Sequence, residues 1–328
     1  MRALSRLGDD ARRDLTLGTV TLGLFCAVTF ASPAFAAPAS LAALFDDIAV
    51  LVMLALGQML VILVRGIDLS VAANLALAGM LAALFNRTFP EAGVAPAIGI
   101  AVLAGTAAGA VNGLLVWKLK LPPIVVTLGT MSIFRGVIFP LSQGAWVNEN
   151  EMSRGFIAFT RGQFAGLSTL AWLAIVTALV FLVAMRYSRG ARSFHAAGGN
   201  PDAAAYSGID VGRVQFFAYT VCGAIAGLCG YLWAARFAVA YTDIALGFEL
   251  QVIAACLIGG VAIAGGVGSV AGVLLGCLFL GIIRNSLPVV GISAFWQLFI
   301  NGIVIVVAVL MSARQRVRTR SILERRAA

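Results

Sequence analysis

Residues 48–64 read IAVLVMLALGQMLVILV and contain no charged side chain. A helix that crosses a membrane needs about 20 mostly apolar residues, so this run fills most of one crossing. The whole 328-residue chain has the same character, with 61% hydrophobic and 11% charged residues. A typical soluble domain is about 45–50% apolar and about 25% charged. Because so few charges cannot cover a soluble fold, the sequence predicts an all-α, polytopic membrane helix bundle.

Ten apolar runs along the chain are candidate spans, although the tight junctions near Gly66 and Gly265–Gly266 leave any number from eight to eleven compatible with the sequence. The 36 glycines fit this prediction, because small residues let membrane helices pack closely. Spans two to five and seven to ten form two groups of four that begin on opposite sides of the membrane, which predicts an inverted-topology repeat. The candidate spans are Thr16–Ala36, Ile48–Val64, Leu69–Leu84, Val94–Val116, Pro122–Leu141, Ser168–Met185, Val214–Trp233, Leu250–Ala264, Val267–Ile283 and Phe295–Met311.

The chain is expected to form a single transmembrane domain, residues 1–328, and its basic residues predict the orientation of that domain. With ten spans and a cytoplasmic amino terminus, 17 of the 23 Lys and Arg residues fall on the cytoplasmic side. Both termini are therefore expected in the cytoplasm, with residues 1–15 and the basic tail 313–328, and residues 186–213 form a long cytoplasmic loop. The net charge of +9 comes from these clusters. It forms no basic stripe with interleaved aromatic residues, which argues against nucleic-acid binding.

Two features of the chain have alternative interpretations. Basic residues, an apolar run and Ala34-Phe35-Ala36 resemble a cleavable signal peptide, although a polytopic chain needs no separate signal and an uncleaved helix is favoured. The five cysteines lie inside apolar runs without a CxxC pair, which favours packing roles over a metal site or a disulfide framework.

Three stretches depart from lipid-facing character, and the first is Gly66-Ile67-Asp68-Leu69-Ser70. Asp68 stands at a membrane boundary, where a carboxylate stabilises the start of the following helix. A helix cap and a hinge on the cytoplasmic side are both compatible with this position.

The second stretch runs from Leu121 to Thr130 and is followed by Arg135. Its double proline fits a helix start, where a missing N–H costs little. The side chains that then enter the membrane include those of Thr127, Thr130 and Arg135, and Gly129 lies among them. An intramembrane charge faces protein or water rather than lipid, so Arg135 is expected to pair within the bundle or to touch a substrate.

The third stretch is a polar loop that contains a short helix with start and stop residues at both ends. Asn200 suits the N-cap, Pro201 the first helical position and Gly208 the residue past the end. Asp202 lies in the first turn, where the helix dipole favours it, and the alanines give a small, smooth face. Such a helix is suited to dock into a groove on another protein; an ordinary interfacial loop is the alternative.

Taken in order, these stretches resemble the permease subunits of bacterial ATP-binding cassette sugar importers, in the group that takes ribose, rhamnose, other monosaccharides and autoinducer-2. The likeness covers about residues 45 to 312, and Ala72-Ala73 departs from the Gly-Ser pair often found after the first motif. The matching segments are Gly66 to Ser70, Pro123 to Thr130, Gly198-Gly199-Asn200-Pro201 with Ala203-Ala204 and Ser207-Gly208-Ile209, and Gly259-Gly260 with Gly265 to Ser269.

The resemblance implies a translocation path for a monosaccharide in the bacterial inner membrane. It implies a periplasmic sugar-binding protein, a second permease subunit in a homodimer or heterodimer, and a cytoplasmic ATPase that uses ATP, with no cofactor on this chain. The ATPase would grip the cytoplasmic loop at Gly198, Gly199, Asn200, Pro201, Asp202, Ala203, Ala204, Tyr206, Ser207 and Gly208. The motif or hinge residues would be Gly66, Asp68, Ser70, Thr127, Gly129, Thr130 and Arg135. The stretches Val147 to Met152 and Phe295-Trp296-Gln297 look most like rhamnose permeases.

Other classes of function fit the sequence less well. A phosphate-binding loop needs lysine after glycine and before Ser or Thr, but the only lysines, Lys118 and Lys120, follow Trp117 and Leu119. The chain is therefore expected to be no ATPase and no enzyme. An ion-coupled secondary carrier normally needs an ionisable residue at mid-membrane, and an intramembrane hydrolase needs a nucleophile beside a base. Acidic residues are nearly absent from the span centres, and Ser269 and His195 have no convincing partners.

Overall fold

The computed structural model describes residues 9–289 together with positions 296, 299, 302 and 303. Within that part of the chain it consists almost entirely of helices. They are α1 (Asp9–Ala31), α2 (Pro38–Leu63), α3 (Val71–Thr88), α4 (Val94–Lys118), α5 (Pro123–Ser142), α6 (Arg154–Arg161), α7 (Thr169–Tyr187), α8 (Arg189–Gly199), α9 (Pro201–Tyr206), α10 (Val211–Phe237), α11 (Phe248–Ile258) and α12 (Val270–Val289).

Four two-residue strands and three short 3-10 helices complete the described elements. Strand β1 (Val147–Asn148) pairs antiparallel with β4 (Val239–Ala240), with Val147 opposite Ala240. Strand β2 (Gln163–Phe164) pairs antiparallel with β3 (Leu167–Ser168) in a hairpin. The 3-10 helices are Pro33–Ala36, Pro90–Ala92 and Glu149–Glu151.

Eight of the described helices are long and apolar enough to cross a membrane, which confirms the all-α polytopic bundle. The span expected at Leu250–Ala264 is wrong as a full crossing, because α11 has 11 residues and extends only about 16 Å, whereas the hydrocarbon layer is about 30 Å thick. Its helix ends at Ile258 because glycines follow, and Gly260, Gly265 and Gly266 have positive φ. The last expected span, Phe295–Met311, lies outside the continuously described residues.

The long helices run alternately between two ends of the bundle. At one end of the bundle, which we call the basic end, α2, α4 and α7 finish and α5, α10 and α12 begin. We call the opposite end the far end. In the two groups proposed as a repeat, α2 runs towards the basic end and α10 away from it, as opposite topology requires. The fourth member of the second group is outside the described residues, so the inverted repeat stays a prediction.

Helix α10 forms the centre of the bundle and packs against α2, α3 and α4. Its crossing with α4 brings backbone against backbone, since a Cβ added at Gly105 would lie 2.5 Å from the Cα and N of Gly227. Gly109 meets Gly223 in the same way one helical turn further along. Small residues at intervals of four therefore let these two helices approach closely, as is typical of membrane helices.

Candidate coupling and transport site

The short helix α9 is built as the sequence predicts. The Asn200 side chain accepts a hydrogen bond from the Ala203 N–H at 3.1 Å, and Pro201 occupies the first helical position. At the other end Ile209 N donates to Ala204 O at 3.0 Å and Gly208, at φ +83°, donates to Ala205 O at 3.0 Å. Both ends of the helix thus have their backbone groups satisfied.

The outward face of α9 differs in one residue from the expected smooth run of alanines. Ala204 is only 4% exposed and faces the protein, whereas the Tyr206 side chain is 94% exposed. The other exposed positions of this helix and its end are Asp202, Ala203, Ala205, Ser207 and Gly208. A partner that docks here would meet a tyrosine ring flanked by small side chains rather than alanines alone.

Helix α8 ties this short helix to the basic end of the bundle. The Arg65 guanidinium donates from Nε to Gly198 O at 2.6 Å and from Nη2 to Gly199 O at 2.9 Å. Gly198 has no room for a side chain because its Cα faces the carbonyl of Leu63. Arg65 adopts a left-handed backbone conformation, with φ +63°, so the chain turns sharply between α2 and these contacts.

The glycine-rich segment 259–269, which we call the glycine loop, closes on the same place. Gly266 N donates to Leu63 O at 2.8 Å, and the His195 Nδ1 lies 3.1 Å from Gly266 O. The amino-terminal helix reaches the loop as well, because Arg13 donates to Gly260 O and Ser269 Oγ donates to Asp14 at 2.9 Å. His195 is thereby placed as a structural contact of this loop.

Asp68 organises the turn before α3 and is not its N-cap. Its Oδ1 accepts from Ser70 N at 2.8 Å and from Ser70 Oγ at 2.6 Å, while Ser70 itself stands at the N-cap position without a side-chain bond to the helix. Asn112 Nδ2 donates to Ser70 Oγ at 2.8 Å, which connects the turn to α4. Burial raises the pKa of Asp68, although its hydrogen bonds with Ser70 oppose that rise.

Gly66 is required by close packing at the same turn. A Cβ on Gly66 would lie 2.5 Å from the Tyr219 hydroxyl oxygen of α10. The turn is therefore held against α10 and α4 at once, which agrees with a fixed structural element. Movement as a hinge stays a prediction.

The α5 residues divide between two places. Thr127 Oγ donates to Ile67 O at 3.1 Å, so it joins the Asp68 turn, and Thr130 is buried one turn further along. Gly129 lies on the exposed face of α5 with nothing within 4 Å of an added Cβ. Arg135 is separate from all of these, because its Nη1 donates to Thr242 O at 2.8 Å and to Ile244 O at 3.3 Å.

Sequence reasoning missed the polar residues that hold these segments together. Asn112 and Asn74 lie in apolar helices at 1% exposure or less, and Asn74 Nδ2 donates to Gly105 O at 3.1 Å. Their presence inside otherwise apolar runs was a usable signal, because a polar side chain in a membrane helix needs a partner. The contact of the glycine loop with α8 had no local signal, since it joins residues about 70 positions apart.

The family relationship follows from comparison with known proteins. Residues 40–309 match the family model described as "Branched-chain amino acid transport system / permease component". The chain belongs to this permease family. This confirms the resemblance to permease subunits of ATP-binding cassette importers, and it places the described bundle within a membrane as a multi-pass protein.

The relatives of this permease cover most of its length. It is 36% identical over 265 residues to the ribose import permease protein RbsC of Escherichia coli (strain K12), covering 80% of this chain and 82% of the relative. It is 36% identical over 274 residues to RbsC of Bacillus subtilis (strain 168), covering 83% and 84%. It is 30% identical over 308 residues to the autoinducer 2 import system permease protein LsrC of Photorhabdus laumondii, covering 93% and 90%. No solved structure matches the chain.

Proposed function

We propose that this permease forms the translocation path of an ATP-driven importer for a small sugar-like solute. Its relatives are named for the import of ribose and of autoinducer 2. The mechanism that we propose is alternating access, in which the path opens first to one side of the membrane and then to the other. It fits a bundle whose two ends are held together by separate sets of hydrogen bonds. A partner drives such a change only by binding one state more tightly than the other.

The charge distribution supports an orientation with the basic end in the cytoplasm. Lys and Arg accumulate in the cytoplasmic segments of membrane proteins. The basic end carries Arg13, Arg65, Lys118, Lys120, Arg186, Arg189, Arg192 and Arg213, and the far end carries Arg87, Arg154, Arg161 and Arg236. Both termini, residues 1–15 and 313–328, would then lie in the cytoplasm of a bacterial cell, and a periplasmic solute-binding protein would meet the far end.

The observation that carries the coupling role is the construction of α8 and α9. Helix α9 is capped at both ends and exposes Tyr206, while α8 is bonded through Arg65 and packed through Gly198 against the end of α2. A separate ATPase that grips α9 would therefore pull on α2 and on the glycine loop together. Residues 186–213 would serve as its coupling loop, with the exposed residues between Gly199 and Gly208 at the contact and Gly198 and Ala204 packed behind them.

The path itself requires a second permease subunit, either a copy of this chain or a different one. Along α5 and the following segments the bundle exposes apolar side chains together with Asp243, and Arg135 is partly exposed beside them. Charged side chains at membrane depth face protein or water. Within the ribose-type group, rhamnose is our preferred solute because of the Val147 to Met152 stretch.

The experiment adds one charge to the exposed face of α9. Ala203→Asp places a carboxylate in the first turn, where the helix dipole favours it, so α9 itself stays intact. We expect binding of the partner ATPase and ATP-driven uptake to fall at least tenfold, with unchanged amounts of permease in the membrane. Ala158→Asp, on an exposed position of α6 at the far end, is the matched control for ATPase binding and should preserve that binding.

Two outcomes would contradict the proposal. Equal ATPase binding by Ala203→Asp and Ala158→Asp would show that α9 is not the docking helix. Uptake that persists when the partner ATPase is inactivated would favour an ion-coupled carrier instead.

A further inference from the structure

The segment between α10 and α11, residues 238–247, and the first turn of α11 dip together into the far half of the bundle. Strand β4 pairs with β1 at the far end, and two residues later the chain meets Arg135 through the carbonyls of Thr242 and Ile244. Arg135 is seven residues before the end of α5, which places it about 10 Å inside that end at 1.5 Å per residue. A non-helical segment at such depth is tolerated where it is covered by protein or lines a water-filled cavity.

The dipping segment carries more polar groups than its own contacts satisfy. Glu249 is 9% exposed, and its Oε2 has no hydrogen-bond partner among the described residues; the same holds for the buried Nε of Arg135. Asp243 is exposed beside them and lies within electrostatic range of Arg135. In the described part of the chain neither carboxylate forms an ion pair with Arg135, so these charges are close without neutralising one another by contact.

An aromatic surface adjoins these charges. Trp146 stacks on Tyr241 with ring centroids 4.6 Å apart and planes inclined by 21°. Tyr241 directly precedes Thr242, whose carbonyl Arg135 binds, and the Trp146 side chain is 57% exposed. Aromatic faces beside a few placed polar groups are the usual lining of sites for small organic ligands.

We propose that Arg135, Asp243 and Glu249, with the Trp146–Tyr241 stack, form a subsite that binds the hydroxyl groups and apolar face of the transported sugar. The inference rests on the proposed function and adds the solute-contacting residues to it. Carboxylates accept from sugar hydroxyls and the guanidinium donates to sugar oxygens through charge-assisted hydrogen bonds. Asp243 is exposed and Arg135 is partly exposed, while Glu249 is buried and its Oε2 has no hydrogen-bond partner among the described residues.

The decisive variant is Asp243→Asn, because the Asp243 side chain is exposed and has no hydrogen bond in the described structure that a change would break. The complete transporter, with its ATPase and binding protein, is reconstituted in vesicles, and uptake of D-ribose and L-rhamnose is compared with that of their singly deoxygenated analogues. The preference for the parent sugar over at least one analogue should fall about tenfold, the effect of losing one hydrogen bond to a charged group. The contribution of the binding protein is common to all permease variants and cancels from this comparison.

Two further variants separate solute binding from a structural clamp. Arg135→Lys keeps a donor for the carbonyls of Thr242 and Ile244 but loses the planar array of guanidinium N–H donors. The preference of this variant among the sugar analogues should therefore change, while its thermal stability in detergent should be retained. Glu91→Gln, an exposed carboxylate in the 3-10 helix Pro90–Ala92 at the far end, is the control and should leave the preference among analogues unchanged.

The outcomes distinguish this inference from the proposed function. If wild-type transporter takes up the sugars and both Asp243→Asn and Arg135→Lys keep its preference, the subsite is wrong, whether or not the rates fall equally for all solutes. Equal losses for every solute would identify the segment as a structural clamp or a contact of the second subunit. If the wild type takes up neither sugar and no related monosaccharide, the proposed function itself is wrong.

Discussion

The substitution Gly105→Ala tests how closely α4 and α10 must approach for the bundle to be stable. The added methyl carbon would lie 2.5 Å from the Cα and N of Gly227, whereas carbon atoms in contact prefer about 3.5–4.0 Å. Both opposing atoms belong to a helical backbone, so neither can move without moving α10. Either the two helices must therefore separate by about 1 Å, or the helix backbone at the contact must distort.

A matched control is available in the same helix. Gly99 lies in α4 and an added Cβ there would have nothing within 4 Å. Both changes gain the same helix propensity, about 1 kcal/mol for Gly to Ala. The difference between the two variants thus isolates the overpacking, for which about 1–3 kcal/mol is expected.

The assay is reversible unfolding of the purified permease in mixed micelles, followed by circular dichroism. Gly105→Ala should unfold with a free energy about 1–3 kcal/mol below that of Gly99→Ala, which is a factor of about 5–150 in the unfolding equilibrium. Equal stabilities for the two variants would refute the close crossing as a requirement of the fold. A loss confined to Gly99→Ala would refute the assigned packing face of α4.

Three further predictions concern the basic end. Asn200→Ala should weaken ATPase binding because it removes the cap of α9, worth about 1 kcal/mol, and Asn200→Asp should retain the binding; a titration of the ATPase measures both. Arg65→Gln should uncouple ATP hydrolysis from uptake, because it loses the guanidinium that holds the last carbonyls of α8, while Arg87→Gln, whose partner Glu151 is at the far end, should not. Asp68 has a pKa raised by burial, so its contribution to stability is greatest below about pH 4 and is lost as pH rises through the raised value. The free energy of unfolding of wild type minus that of Asp68→Asn should therefore fall as pH rises above about 4, and a flat difference would contradict the burial of a titrating carboxyl.

The sequence was informative wherever local chemistry determines local structure. The start and end of α9 that Asn200, Pro201 and Gly208 predict are found in the structure at the same positions, because capping depends on residues within one turn. Long apolar runs likewise became helices, since a backbone in lipid must satisfy its hydrogen bonds internally. These predictions needed no knowledge of what the helices pack against.

The errors arose where tertiary contacts override composition. Residues 250–264 are apolar enough for a span, yet the glycine loop leaves the helix at Ile258 because its backbone bonds to Leu63 and packs on α8. A cap of α3 was one of two interpretations of Asp68, but the partner of Asp68 is Ser70, the residue before the helix, which Asn112 of α4 binds in turn. Ala204 was expected to face outward, and burial against the bundle reverses it. Residues distant in sequence, namely Leu63, Asn112 and the bundle around Ala204, hold each of these arrangements in place.

The half-length of α11 connects the two regions that we propose act in transport. Its carboxyl end leads into the glycine loop, which bonds to Leu63 and lies against Gly198 and Gly199 of α8. Its amino end carries Glu249 and continues the segment held by Arg135. A helix long enough to cross the bilayer would leave its two connecting loops at opposite surfaces, whereas α11, with 11 residues and a length of about 16 Å, joins the glycine loop at the basic end to a segment that lies within the far half of the bundle. We infer that a displacement of α8 by the ATPase shifts the glycine loop and moves α11 as one rigid element. Such a shift changes the fit of Arg135 with the carbonyls of Thr242 and Ile244, and so couples the grip at the basic end to the proposed sugar subsite.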